Sequence, residues 1–348
     1  MKKQLLSLTL LLTVAVLLTR LLGSCNKSVD LRLLTPVSLP TPEGFPAPLY
    51  NNGENPLSKE GIELGRRLFY DKRLSIDLAH PCSSCHEQQA SFGTFEHDRS
   101  HGVYDSHTLR NAPVLVNLAW SPYFHWDGQF EKLELEATAP ITGQQEMGET
   151  FPNIIRKLEA DPYYKKAFQT VFASASIEPM HIVKALSQFT ATMISANSRY
   201  DKVKKGQGSF TGQEQAGYQL FLQHCNSCHR EPLFTDHSFR NIGLPVDPLL
   251  TDLGRMRITF SQEDSLKFKV PTLRNCYTSS NYMHDGRFIS IQQCINHYRF
   301  QIQQSATLDP LLRQGIALSN EQTDQLMAFL KTLTDSSFIT DRSLARPQ

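Results

Sequence analysis

An excess of charge of either sign is missing: 35 Lys and Arg against 34 Asp and Glu leave a formal net charge of +1. A chain so balanced has no electrostatic footprint for a polyanion, which excludes nucleic acid as a partner. Alternating apolar and polar runs of strand length are also lacking, so a mostly α fold with long functional loops is expected. Long apolar runs are absent except at the start, where residues 5–22 carry Arg20 as their single charge. Cysteine and tryptophan are scarce enough, seven and two in 348 residues, that each asks for an account. The length allows one large domain or two ordinary ones.

The apolar start follows a basic "MKKQ" and ends in "LLGSC", small residues directly before Cys25. This resembles a bacterial lipoprotein signal, in which Cys25 becomes the lipidated N-terminus. The expectation is an exported protein of the periplasm or cell envelope, held to a membrane through its lipid. Residues 26–55 are rich in Pro and Gly and read as an extended tether.

The body reads as helical. Ile182, Leu186, Phe189 and Met193 share one helical face. Ser319 and Gln322 form a capping box before the stripe Leu326, Phe329, Leu330 and Leu333. A weak internal repeat is present: "LSKEGIELGRRLF" (57–69) and "FTGQEQAGYQLF" (210–221) each read as a capped helix with Gly followed by x-x-Leu-Phe. The polar, Gly-bearing "SRYDKVKKGQGS" (198–209) lies between the two units. The expected organisation is a signal over 1–25, a tether over 26–55, units over 56–203 and 204–335, and a tail over 336–348.

Each unit contains C-x-x-C-H: "CSSCH" at 82–86 and "CNSCH" at 225–229. In this motif two sulfurs form thioethers with the vinyl groups of a haem, and the following imidazole is held beneath the iron. Cys82, Cys85 and His86 would carry one c-type haem; Cys225, Cys228 and His229 would carry another. Zinc is the rival, but two cysteines and an adjacent histidine cannot wrap one tetrahedral ion. Cys276 and Cys294 are left over, to pair as a disulfide or remain buried thiols.

Further motifs follow in order: "LRNAPVLVN" (109–117), "FHWDGQ" (124–129), "EATAPITGQQEMGE" (136–149), "FRNIGLP" (239–245), "TDLGR" (251–255), "FKVPTLRN" (268–275) and "YMHDGRF" (282–288). Their order and spacing, over residues 57–333, resemble the bacterial di-haem cytochrome c peroxidases, a family that includes the MauG-type enzymes. The resemblance implies two cytochrome-c-like helical domains, each with one covalent haem, and a calcium ion between them. It implies that the His86 haem is peroxidatic and the His229 haem takes in electrons. Trp126 matches the tryptophan between the haems, whereas Trp120 lacks the Asp-Gly context and reads as structural. Glu146 matches the distal glutamate that shuttles the peroxide proton. Pro140 matches the distal-pocket proline, and Glu136 stands where glutamine is common. His101 matches the loop histidine that caps the peroxidatic haem at rest, ahead of His97 and His107. Fourteen residues after His284, where typical members have methionine, stands Tyr298, the MauG-like pattern; Met283 is the weaker candidate ligand of that haem. Asn111, with the carbonyls of Ser279 and Asn281, matches the calcium ligands.

Three functions compete. The leading one is reduction of hydrogen peroxide to water with electrons from an exported cytochrome c or similar donor. The second, suggested by Tyr298, is a MauG-like oxidase that stores two oxidising equivalents across both haems and draws electrons from a protein partner. The third is a non-catalytic di-haem electron carrier. A homodimer is compatible with each.

Overall fold

The computed structural model describes residues 34–50 and 53–348; the expected signal and Cys25 lie outside them. The described chain is mostly helical. Its helices of nine or more residues are α1 (Lys59–Phe69), α2 (Phe151–Glu159), α3 (Pro162–Phe172), α4 (Pro179–Ala191), α5 (Gly212–His224), α6 (Ile291–Phe300) and α7 (Asn320–Lys331). The one sheet among the described residues has two short strands, β1 (Phe239–Arg240) and β2 (Phe268–Lys269), antiparallel with Phe239 opposite Lys269. No helix among the described residues is long and apolar enough to cross a membrane.

The helices start where the sequence says they should. Ser58 accepts a bond from the Gly61 N–H, and full capping boxes, Thr211 with Glu214 and Ser319 with Gln322, open α5 and α7. Each such cap contributes about 1 kcal/mol.

Packing reveals the repeat more clearly than sequence does. α1 crosses α4 at Gly65, where a Cβ would lie 1.9 Å from the Ala185 carbonyl oxygen and 2.9 Å from the Phe189 Cβ. α5 crosses α7 at Gly217, where a Cβ would lie 1.9 Å from the Gln325 carbonyl oxygen and 2.9 Å from the Phe329 Cβ. The glycine of each repeat therefore marks the same backbone-to-backbone contact, and the following Leu-Phe pair enters the core beside it. Leu68, Phe69, Phe92, Ile182, Leu186 and Phe189 belong to one apolar core; Phe221, Phe234, Leu326, Phe329 and Leu333 belong to a second.

The segments outside the units are fastened down. The prolines before Pro56 keep their chain extended, but Pro36 bridges Ser58, the Trp120 indole donates to the Pro46 carbonyl at 2.8 Å, and Phe45 meets the Trp120 ring edge-on. The described part of the expected tether thus lies on the first unit, because Phe45 and Tyr50 supply apolar surface that an extended polar linker would not bury. Residues 336–348 also fold back on that unit. Phe338 and Leu344 enter its core, and the Tyr70 hydroxyl donates to the Leu344 carbonyl at 2.9 Å. The polar stretch between the units contains a short helix, Arg199–Lys204, whose Asp201 receives both arms of the wholly buried Arg274 at 2.8 and 2.9 Å.

Candidate active site

Cys82–Cys85 form a single helical turn, and His86 leaves it with non-helical backbone. Three residues apart on one helical turn, the two cysteines share a side. His86 Nδ1 lies 2.8 Å from the Phe92 carbonyl oxygen. In the second unit α5 runs directly into Cys225, and His229 Nδ1 lies 3.1 Å from the Pro271 carbonyl oxygen and 3.3 Å from that of Phe234. A carbonyl at Nδ1 makes it the protonated nitrogen and leaves Nε2 with its lone pair free for a metal. Burial pushes both imidazoles towards the neutral form that ligation requires.

Beside the second motif opens a cavity of about 310 Å³. Cys225, Cys228 and His229 line it, with Trp126, Met283 and Tyr298. Lys269 lines it too, and its ammonium makes no hydrogen bond or ion pair with the described residues. Burial pushes that lysine down to about 8. The neighbouring cation Arg240 is instead saturated by Asp236 and Asp309. An apolar cavity with two cysteines, a free imidazole nitrogen and an unpaired ammonium fits a flat apolar group bearing carboxylates, which describes haem.

Trp126 stands where the units meet. Its indole N–H donates to the Asn111 carbonyl at 2.8 Å, and its own carbonyl accepts from the Lys269 N–H at 2.7 Å. The Asn111 N–H in turn donates to the His284 carbonyl at 2.8 Å. Around this seam Arg110 binds Asp127 at 2.7 Å and Asp252 at 2.6 Å, tying the W-D-G turn to the T-D-L-G-R loop. The pairing joins residues up to 142 positions apart and is not legible in the motifs themselves.

The carboxyls assigned to the first pocket gather near the first motif. Glu136 is close enough to Cys82 and His86, and Glu146 to Cys85, for charge on each to act on those groups. Glu146 is held upward from the usual carboxylate range by burial, with Glu136 adding to the rise and His125 opposing it. Pro140 anchors the turn through its carbonyl, which accepts from the Met147 N–H at 3.1 Å. His125 was missed in sequence. Its Nε2 lies 3.1 Å from the Glu136 carbonyl oxygen and 3.6 Å from Glu136 Oε2. Burial would lower its pKa, but the contact with Glu136 outweighs this and the net shift is upward. The signal was adjacency to Trp126 in "FHWDGQ".

"FHWDGQ" and "YMHDGR" adopt one turn. The bridges Phe124 to Phe130 and Tyr282 to Phe288 close the two turns. His125 (φ +65°) and Met283 (φ +70°) occupy the same left-handed position, as do Gly128 (φ +70°) and Gly286 (φ +73°). Trp126 and His284 are therefore counterparts.

His101 is exposed, its ring 4.6 Å from that of His97 and 4.5 Å from that of His107. The loop leans on the Glu146 turn: Val103 N–H donates to the Glu146 carbonyl at 2.8 Å, and a Cβ on Gly102 would meet the Gln145 oxygen at 2.0 Å. The Asn111 amide reaches the Asn281 carbonyl at 3.1 Å, and Ser279 Oγ donates to the same oxygen at 2.8 Å. Cys276 and Cys294 are free, half-buried thiols, near enough to act on each other electrostatically.

A model of the di-haem cytochrome c peroxidase family matches residues 59–209. Methylamine utilization protein MauG of Methylorubrum extorquens is 32% identical over 298 residues, spanning 84% of this chain and 82% of its own. Cytochrome c551 peroxidase of Nitrosomonas europaea is 30% identical over 284 residues, 80% of this chain and 81% of its own. Among solved structures, a MauG-like protein associated with microbial copper homeostasis superposes with a TM-score of 0.83 at 31% identity, over 89% of this chain and 99% of that one. The diheme peroxidase BthA from Burkholderia thailandensis shares the fold, with a TM-score of 0.71 at 20% identity.

Proposed function

The chain belongs to the di-haem cytochrome c peroxidase and MauG family, which implies two c-type haems, and from that premise we propose that it reduces hydrogen peroxide to water with electrons from an exported cytochrome c or similar donor. Two observations support this reading: the seam residue Trp126 lines the second cavity, and Glu146 with Glu136 crowds the first attachment motif.

When bound, the haems supply irons that take an oxidant and exchange electrons. The chain's own residues do the rest. His86 and His229 offer Nε2 to the two irons, each ring oriented by a backbone carbonyl. Glu146, its pKa raised by burial, takes a proton from one peroxide oxygen and returns it to the other. Pro140 walls the pocket without offering an N–H. Trp126 places an indole between the two sites, and Lys269 offers a cation to a haem carboxylate. Two electrons and two protons per peroxide give two waters. The calcium reading assigns the Asn111 side chain and the carbonyls of Ser279 and Asn281 as ligands, and the Asn111 side chain lies 3.1 Å from one of those carbonyls, that of Asn281. His101 is assigned as the resting cap of the first haem, and export with a lipid on Cys25 completes the reading.

A MauG-like oxidase acting on a protein partner is the second reading. Tyr298 favours it, because this phenol lines the second cavity beside Cys225 and Cys228. A phenolate ligand stabilises ferric iron and lowers the potential, whereas methionine raises it. Peroxide turnover with a reduced small cytochrome c tests the first reading. Turnover that survives loss of the His86 haem overturns it.

A further inference from the structure

We propose that His125 positions Glu136 in the first haem pocket and stores a proton for the carboxyls there. The proposal rests on the reading of that pocket as the peroxide site. Three observations carry it.

The first is the repeat. His125 occupies in the first unit the left-handed turn position that Met283 occupies in the second, and Met283 lines the second cavity. Symmetry therefore points His125 at the first haem. The second is contact. His125 Nε2 meets both the carbonyl and the carboxyl of Glu136, at 3.1 and 3.6 Å. Its other neighbour is the edge of the Phe130 ring, with centroids 5.1 Å apart, so the imidazole is clamped between an acceptor and an apolar wall. The third is backbone cost. A non-glycine residue at φ +65° stores on the order of 1 kcal/mol, and such strain gathers where a side chain must be aimed.

The groups acting electrostatically around His125 are Glu136, Glu146, Asp127 and His86. Three are carboxyls, and one of these, Asp127, is committed to Arg110. That leaves two carboxyls and one imidazole to share protons. Peroxide reduction consumes two protons with its two electrons. Glu146 can move a proton between the two oxygens, which completes the first water from the peroxide's own hydrogens, so both consumed protons must be delivered to the second, and His125 can supply one of them. An imidazolium paired with Glu136 holds that proton without leaving an unpaired buried charge.

The test uses the half-reduced holoprotein, in which the resting cap assigned to His101 has left the first haem, and cyanide, which binds ferric iron as the anion and leaves its proton with a pocket base. Association rates are measured between about pH 5 and 9, the range in which an imidazole titrates. His125→Asn keeps a residue tolerant of the left-handed backbone, and His125→Phe keeps a ring. In both, the inflection seen in the wild type disappears, and the rate at neutral pH falls by about tenfold or more, while the second haem keeps its spectrum. Variants that retain the wild-type profile within about twofold overturn the role of His125 alone. A wild type in which neither haem takes cyanide overturns the peroxide-site reading as well.

Discussion

Gly65 and Gly217 offer a perturbation with two opposed effects. Exchanging Gly217 for alanine in an exposed helix interior would stabilise by about 1 kcal/mol through helix propensity alone. Here the new Cβ would stand 1.9 Å from the Gln325 carbonyl oxygen and 2.9 Å from the Phe329 Cβ. The nearer atom is main chain and has no rotamer to yield. Ordinary contact requires α5 and α7 to part by about 1.5 Å, and overpacking of that size costs about 1–3 kcal/mol before the loosened core is counted. Phe221, Phe234 and Phe329 fill the seam and lose close contact as it opens. The net expectation is destabilisation by about 2 kcal/mol or more, a fall in midpoint of roughly 4–8 °C for a unit of this size. Gly65→Ala should do the same to α1 and α4 through Ala185 and Phe189. Thermal melts of the holoprotein, followed in each haem's absorption band, assign the loss to one unit at a time. An alanine variant as stable as the parent, or more so, would show that propensity wins and that the close crossing is not what holds the repeat.

Arg274→Ala strands Asp201 among buried groups and should cost about 3–5 kcal/mol, read by denaturant unfolding. Asp201 is buried, which raises its pKa, but bonds from Arg274 and Ser198 hold it below the usual carboxylate range. Its contribution is therefore complete above about pH 4 and is lost only as pH falls through the depressed value; stability of the variant should flatten in that acid window. Glu146→Gln should slow peroxide reaction by about 10²–10⁴-fold with haem content unchanged. As the group that accepts the peroxide proton, Glu146 predicts a wild-type rate that rises with pH through that carboxyl's upward-shifted titration, a limb the variant lacks. Tyr298→Met should raise the potential of one haem in redox titration and leave the other in place; no change would remove Tyr298 from the iron.

Local signals carried much of the fold. Ser58, Thr211 and Ser319 announce helix starts through their own side chains, so the caps are legible a few residues at a time. The Gly-x-x-Leu-Phe repeat was visible, yet its meaning was not: only the partner helix shows that Gly65 and Gly217 are close crossings. The first-unit fastening by Phe45 and Phe338 was hidden for the same reason, since proline-rich and terminal segments look solvated until apolar side chains find a surface. At the site, attachment motifs are short and covalent in logic, so they can be read directly. Glu136, Glu146 and Trp126 needed the longer pattern of the family. His125 escaped because nothing in one sequence says that a histidine eleven residues before Glu136 folds back onto it. The link from Arg110 to Asp127 and Asp252 spans up to 142 residues and could be found only in three dimensions.

The decisive measurement is electron paramagnetic resonance of the purified holoprotein, fully oxidised and half-reduced, with and without peroxide. Two unequal haems predict that one ferric signal is high-spin, or becomes so on half-reduction, and is altered by peroxide, while the other is low-spin in the oxidised protein and disappears on half-reduction as that haem becomes ferrous. Two low-spin signals in the oxidised protein, and one surviving low-spin signal in the half-reduced protein, all untouched by peroxide, would contradict the account and leave a carrier of electrons.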